Sequence, residues 1–219
     1  MWSSEVTNMI LVGIWETLYM TLVSTFAGYV IGLPMGIVLT VTDKDGIHPN
    51  GLIYKILDVI ANVVRSIPFI ILLVLLIPFT RLIVGKSYGS TATIVPLVIA
   101  AAPYIARMVE SSLKEVDAGV IEAARSMGAS NFTIVMRVML VEARTSLIVG
   151  ATISLGTILG YSAMAGTVGG GGLGAIAIRY GYTRWQTDIM IVTVLLLIIL
   201  FQIFQTIGMK LADRFDRRK

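Results

Sequence analysis

The 219-residue sequence predicts an all-α integral membrane protein of five transmembrane helices. Its N-terminus is expected outside, its C-terminus cytoplasmic, and short cytoplasmic helices are expected between the third and fourth spans. Three observations carry this. The chain is 56% hydrophobic and 14% charged, with a mean hydropathy of +0.87, too apolar for a soluble domain. Its apolar residues gather into five runs, each long enough for a hydrocarbon core that takes about 20 helical residues to cross. Its 17 basic residues fall between those runs and mostly on one side.

The runs are 17–42, 57–80, 87–106, 145–165 and 189–209, within one domain covering 1–219. Helices are expected because an isolated strand in hydrocarbon leaves its backbone unsatisfied, and the alternation of a barrel wall is absent. Four runs carry no charge; the second holds Asp58 at its edge and Arg65, placed near its inner end. Pro68 and Pro78 in the second span and Pro96 and Pro103 in the third predict kinks. Gly28, Gly32 and Gly36 recur every four residues in span one, as Gly156 and Gly160 do in span four. That spacing places small residues on one face, where helices approach closely. Glu16 and Asp58 lie near span ends. Glu110, with Arg107 and Lys114 at i,i+3 and i,i+4 spacing, is expected in water or among headgroups.

Five spans put the termini on opposite sides, so the loop charges can be compared. One side collects Lys44, Lys55, Arg65, Arg107, Lys114, Arg125, Arg137, Arg144, Lys210, Arg214, Arg217, Arg218 and Lys219, 13 in all; the other holds Arg81, Lys86, Arg179 and Arg184. The positive-inside rule makes the first side cytoplasmic. The start lacks the basic leader and small-residue cleavage site of a signal peptide. Residues 43–55 and 107–144 are then cytoplasmic, and 81–86 and 166–188 face outward.

The loop 107–144 is the informative one. Asp117 can cap a helix that Gly128 ends in the left-handed conformation, and Ser130 can cap a second helix from Asn131. Ala123 and Ala124 let a partner surface approach closely; Val120, Ile121 and Met127 supply apolar contact, and Glu122 and Arg125 polar contact. Periodicity alone equally allows an ordinary amphipathic surface helix.

Glu122-Ala123-Ala124, three residues, Gly128, nine residues, Val138 and then Leu140 resembles the signature loop of the permeases of ATP-binding-cassette importers, departing from the family pattern where Val141 replaces a proline. The stretches Trp15–Leu18, Gly32–Pro34, Arg65–Val74, Ile77–Arg81, Ile105–Glu110 and Gly160–Met164 extend the resemblance along nearly the whole chain, to the methionine-importer permeases. The resemblance implies a multi-pass subunit of the bacterial cytoplasmic (inner) membrane. It implies a homodimer forming the path, docked on two ATPase subunits and fed by an extracytoplasmic substrate-binding protein. Glu122, Ala123, Ala124, Arg125 and Gly128 would then couple it to the ATPase. ATP and Mg²⁺ would bind the partner ATPase, with no cofactor in this chain.

Other motifs carry less. Gly85-Lys86-Ser87 ends like a phosphate-binding loop, but Thr80 stands where the leading glycine is needed. The cluster Gly166, Gly169–Gly172 and Gly174 is either a flexible outer connection or a contact for the binding protein. Ser162 and Met164 are candidates for a gate or path. His48 beside Pro49 suits a solvated turn better than a metal site. Without cysteine, and with one histidine, thiolate metal sites and thiol nucleophiles are excluded. No catalytic carboxylate pair or Ser-His-Asp set falls within a span, and the charges form no nucleic-acid patch. The alternatives are a permease for another small amino acid or related solute, or an ion-coupled secondary transporter. The latter is weakened because Arg65 is the one ionisable candidate at membrane depth.

Overall fold

The computed structural model describes residues 4–216, so Arg217, Arg218 and Lys219 of the basic tail lie outside the described residues. Helix α1 (Ser4–Thr42) begins well before the expected residue 17, because 4–16 is uncharged apart from Glu5 and Glu16 and free of proline. At 39 residues it extends about 58 Å at 1.5 Å per residue, longer than the hydrocarbon core is thick. Its threonines do not interrupt it: Thr17, Thr25, Thr40 and Thr42 each donate a hydroxyl hydrogen bond to the carbonyl four residues back.

The second run is broken rather than kinked. Helices α2 (Gly51–Ser66) and α3 (Phe69–Leu75) meet at 102°, and α4 (Ile77–Val84) follows after Leu76. Ile67 adopts extended geometry (φ −82°, ψ 124°), which the following Pro68 imposes by excluding the helical region. Arg65 is the penultimate residue of α2, at the far end from the 43–50 loop. Pro96 and Pro103, by contrast, sit inside one continuous helix, α5 (Ser90–Lys114), where the expected kinks do not break it.

After α6 (Ala118–Ser126), a helical run over residues 131–142, here α7, is α-helical at Asn131–Thr133 and Leu140–Glu142 and π-helical at Ile134–Met139. Helix α8 (Arg144–Ala165) recrosses the bundle. A 3₁₀ turn (Gly166–Val168), α9 (Gly172–Ile176) and a π turn (Ala177–Tyr182) lead into α10 (Thr187–Phe215). Four described helices are long and apolar enough to cross a membrane, five if α2 and α3 form one broken span.

The α1/α5 seam organises the bundle. The two helices run in the same direction, with Gly28 against Ala101, Gly32 against Ala102 and Ile105, and Gly36 against Ala106 and Val109. A Cβ on Gly32 would lie 2.6 Å from the Ala102 carbonyl oxygen, and one on Gly36 equally close to the Ala106 oxygen. The four-residue glycine spacing therefore does what close packing requires. Gly156 likewise lies under Phe201 of α10, where a Cβ would come within 2.6 Å of the ring. Gly160 does not share this role: it is exposed, and a Cβ there would meet nothing within 4 Å.

Gly32→Leu is expected to pry α1 from α5 and destabilise the detergent-solubilised protein by about 1–3 kcal/mol, the usual cost of overpacking. Gly160→Ala is expected to leave the thermal midpoint of the solubilised chain nearly unchanged, and thermal unfolding of both variants checks the contrast.

Candidate functional site

At the end of the bundle where α1, α5 and α10 finish, the 43–50 loop, α6 and α7 form a polar cap. Asp117 accepts a hydrogen bond from the Gly119 N–H (2.8 Å) and starts α6; Gly128, at φ +81°, ends it. Ser130 Oγ accepts from the Thr133 N–H and starts the next helix. These three marks sit where the sequence places them. The face assignment differs. Ala124 is buried (5% exposed) in the chain's own core, and the Arg125 guanidinium donates to the Ile47 carbonyl (2.8 Å) in the 43–50 loop. Of the five residues expected at a partner surface, Glu122, Ala123 and Gly128 are open, whereas Ala124 is inward and Arg125 braces α6. The reason is helical period: with Ile121 half-buried, Ala124 falls on the same inner face. Exposed beside them are Met127 (82%) and Phe132 (75%). Phe132 escaped the sequence reading, although a large apolar residue just after a capping Ser130 is the signal that could have found it.

Behind α6 lies a cleft of about 610 Å³ between the 43–47 loop, the end of α5 and α6. Its floor joins an ionic network that overturns the expected surface placement of Glu110. That carboxylate is 4% exposed and receives hydrogen bonds from Arg107 Nη1 (2.7 Å), Lys114 Nζ (2.8 Å) and, more weakly, the Tyr54 hydroxyl (3.4 Å). Arg107 also pairs with Asp58 and donates to Asn62 Oδ1 (3.0 Å), and Lys114 pairs with Asp43 (2.6 Å). Tyr54, Asp58 and Asn62 recur every four residues along α2, facing Arg107, Glu110 and Lys114 on α5. A buried charge needs such partners. Spacing within α5 alone could not reveal the arrangement; the matching polar stripe on α2 could. Outside the spans, the Lys114 hydrogen bond, aided by the Lys44 N–H, holds the Asp43 carboxyl below the usual carboxylate range against the opposing effect of burial.

At the opposite end the glycine cluster is a packed turn rather than a flexible connection. Glu16 accepts the Gly172 N–H (2.7 Å), Thr17 Oγ1 accepts the Leu173 N–H (2.9 Å), and the Gly169 carbonyl accepts the Gly89 N–H (2.8 Å). Gly169, Gly171 and Gly172 have φ of 87°, 85° and 74°, a region that favours glycine. Glu16 is therefore a structural ligand of this turn. Of the two gate candidates, Ser162 is sealed (1% exposed), its hydroxyl donating to the Leu159 carbonyl, which removes it from any open path within the protomer. Met164 is half-exposed, facing away from the protomer core. His48 is exposed, with its backbone N–H donating to the Val41 carbonyl.

The structure is a bundle of membrane-length helices, capped at one end by a braced surface helix. Residues 28–219 match the family described as binding-protein-dependent transport system inner membrane component, and the chain belongs to that family. It is thus an inner-membrane transport component. More particularly, it is 47% identical to the probable D-methionine transport system permease protein MetI of Vibrio cholerae, over 99% of this chain and 96% of that one. It is 56% identical to the D-methionine transport system permease protein MetI of Escherichia coli over 154 residues, 70% of this chain and 71% of the other. Its fold matches a chain of the inward-facing MetNI methionine ABC transporter with a TM-score of 0.97 and 49% identity, covering 99% of this chain and all of that one (100%).

Two variants probe the ionic network. Glu110→Gln is expected to destabilise the solubilised protein by about 1–3 kcal/mol, since it removes a charged acceptor from buried donors. The Asp43 carboxyl titrates lower folded than unfolded, so its contribution is present above the ordinary carboxylate range and lost as pH falls through the lowered value. Asp43→Asn should therefore lower the thermal midpoint at neutral pH and flatten its decline on acidification, which unfolding scans across that range would measure.

Proposed function

We propose that this chain is the transmembrane permease subunit of an ATP-driven methionine importer. It works as a homodimer whose symmetry axis lines the path, with its N-terminus outside and its C-terminus cytoplasmic. Two separate ATPase subunits bind ATP and Mg²⁺ and dock on the cytoplasmic cap, and an extracytoplasmic substrate-binding protein delivers methionine from the other side. The observation that carries the reading is the outer face of α6: Glu122, Ala123 and Gly128 open, flanked by exposed Met127 and Phe132, on a helix held to its own chain by Ala124 and Arg125. Such a patch offers a partner an apolar core with a charged rim. The near full-length similarity to methionine permeases supports the substrate.

Five spans are few to enclose a path, and a second copy related by a two-fold axis supplies the missing wall. The basic residues support the orientation, since Lys44, Lys114, Arg125, Arg137, Arg144 and Lys210 gather toward the capped end. Nucleotide-driven motion of the ATPase would reach the bundle through α6. The Arg125 bridge to the 43–50 loop and the Lys114–Asp43 pair then tie that movement to α5 and α1.

Glu122→Arg is expected to reduce ATPase copurification and labelled-methionine uptake at least about ten-fold, because it reverses a charge at the docking face. The permease should remain inserted and dimeric. Uptake by cells lacking their own methionine importer and supplied with this chain, its ATPase and its binding protein measures it; undiminished copurification and uptake would reject the coupling role.

A further inference from the structure

The break between α2 and α3 opens a cavity of about 170 Å³ lined by Arg65, Phe69, Leu72, Ala100, Tyr104 and Tyr161. Three elements contribute: the α2/α3 corner, the middle of α5 and the outer half of α8. Tyr104 stands near the centre of α5, a helix long and apolar enough to cross the membrane. Phe69 and Tyr161 stack at 4.5 Å, with planes 5° apart, and form a flat aromatic wall. Thr157 donates to the Tyr104 hydroxyl (3.4 Å). Arg65 lines the cavity from its exposed rim and has neither a hydrogen bond nor an ion pair among the described residues.

That last point is chemically unusual. The basic residues further along α5 are compensated: Arg107 by Asp58 and Glu110, Lys114 by Glu110 and Asp43. A guanidinium at membrane depth is expensive, and where one is kept it pairs or serves the passage of a solute. Its planar fork matches a carboxylate. The remaining walls are aliphatic and aromatic, and a cavity of about 150 Å³ is known to accept a small apolar molecule. A thioether also makes favourable contacts with aromatic ring edges.

We propose that this cavity is a solute site within each protomer for an α-amino carboxylic acid with an apolar side chain, Arg65 taking the carboxylate and the Phe69/Tyr161 wall the side chain. The ligand class rests on the importer reading above; the site itself rests on the cavity and its uncompensated cation. A site of this kind would let the permease contribute to solute selection after release from the binding protein. It also gives the α2/α3 break a purpose, since a straight helix through residues 51–75 would leave no corner for Arg65 and Phe69 to share.

The test uses the assembled transporter of permease, ATPase and binding protein in membranes. A photoactivatable diazirine analogue of methionine is crosslinked during turnover, and labelled peptides are mapped by mass spectrometry. Label is expected on peptides containing residues 64–72, 100–104 or 161, displaced by excess methionine. Arg65→Ala should cut both that label and uptake by about ten-fold or more, the scale of a charge-assisted hydrogen bond lost, with Arg65→Lys retaining part of each. If the wild-type complex imports methionine but none of these peptides is labelled, the site is wrong; wild-type uptake by an assembled Arg65→Ala complex rejects it equally. Should Arg65→Ala fail to assemble, the wild-type label map decides alone. A wild-type complex that assembles but imports no methionine overturns the importer reading, and with it the ligand assigned here.

Discussion

The close approach of α1 and α5 underlies everything else in this fold. Inside a bilayer, burying leucine against leucine gains little, because lipid tails are equally apolar, so helices associate through tight backbone contact and internal polar bonds. Gly28, Gly32 and Gly36 let α1 press directly onto the carbonyls of α5, and that seam fixes both ends of α5 in space. At one end Thr93 Oγ1 donates to the Gly170 carbonyl and Gly89 donates to Gly169, locating the glycine turn. At the other end Arg107, Glu110 and Lys114 collect α2 and the 43–50 loop. A small-residue stripe four residues apart thus determines where two loops at opposite ends of the bundle come to rest.

Polar groups then act as connectors where apolar surface cannot. Buried Thr17, Thr25, Thr40 and Thr42 of α1 bond back to carbonyls of their own helix. Glu16 and Glu110 do the reverse, each reaching to another element: Glu16 to the backbone of the glycine turn, Glu110 to cations of its own helix and the hydroxyl of Tyr54. A carboxylate satisfied by backbone N–H groups or by paired cations can be buried; one left alone cannot. Both therefore fix the geometry of the elements they join.

Much of this was legible in the sequence. The apolar runs, the glycine spacing in α1 and the caps at Asp117, Gly128 and Ser130 are local signals, and local signals survive folding. Contacts between distant segments were less accessible. Pro68 announces a disturbance, but whether the chain kinks or turns through 102° depends on what α3 packs against. Arg107, Glu110 and Lys114 have the same spacing whether the helix face is wet or buried, and only the Tyr54, Asp58, Asn62 stripe some 50 residues earlier distinguishes the two. Ala124 and Arg125 read as partner contacts because the motif is contiguous in sequence, whereas the helix divides it between two faces.

That division has a mechanical consequence. A docking helix that met a partner on every side would be free to move with it and would transmit little. Here α6 commits one face to its own chain through Ala124 and the Arg125 bridge to Ile47, and leaves the other open. Besides its packing against the π-helical stretch of α7, α6 is tied through the 43–50 loop and the Asp43–Lys114 pair to α5, which runs on to Tyr104 and the cavity. Each link is a charged or backbone hydrogen bond rather than an apolar slip plane, and such bonds resist sliding because their partners are discrete. The same helix that seals against the glycines of α1 therefore also joins the capped end of the molecule to its middle.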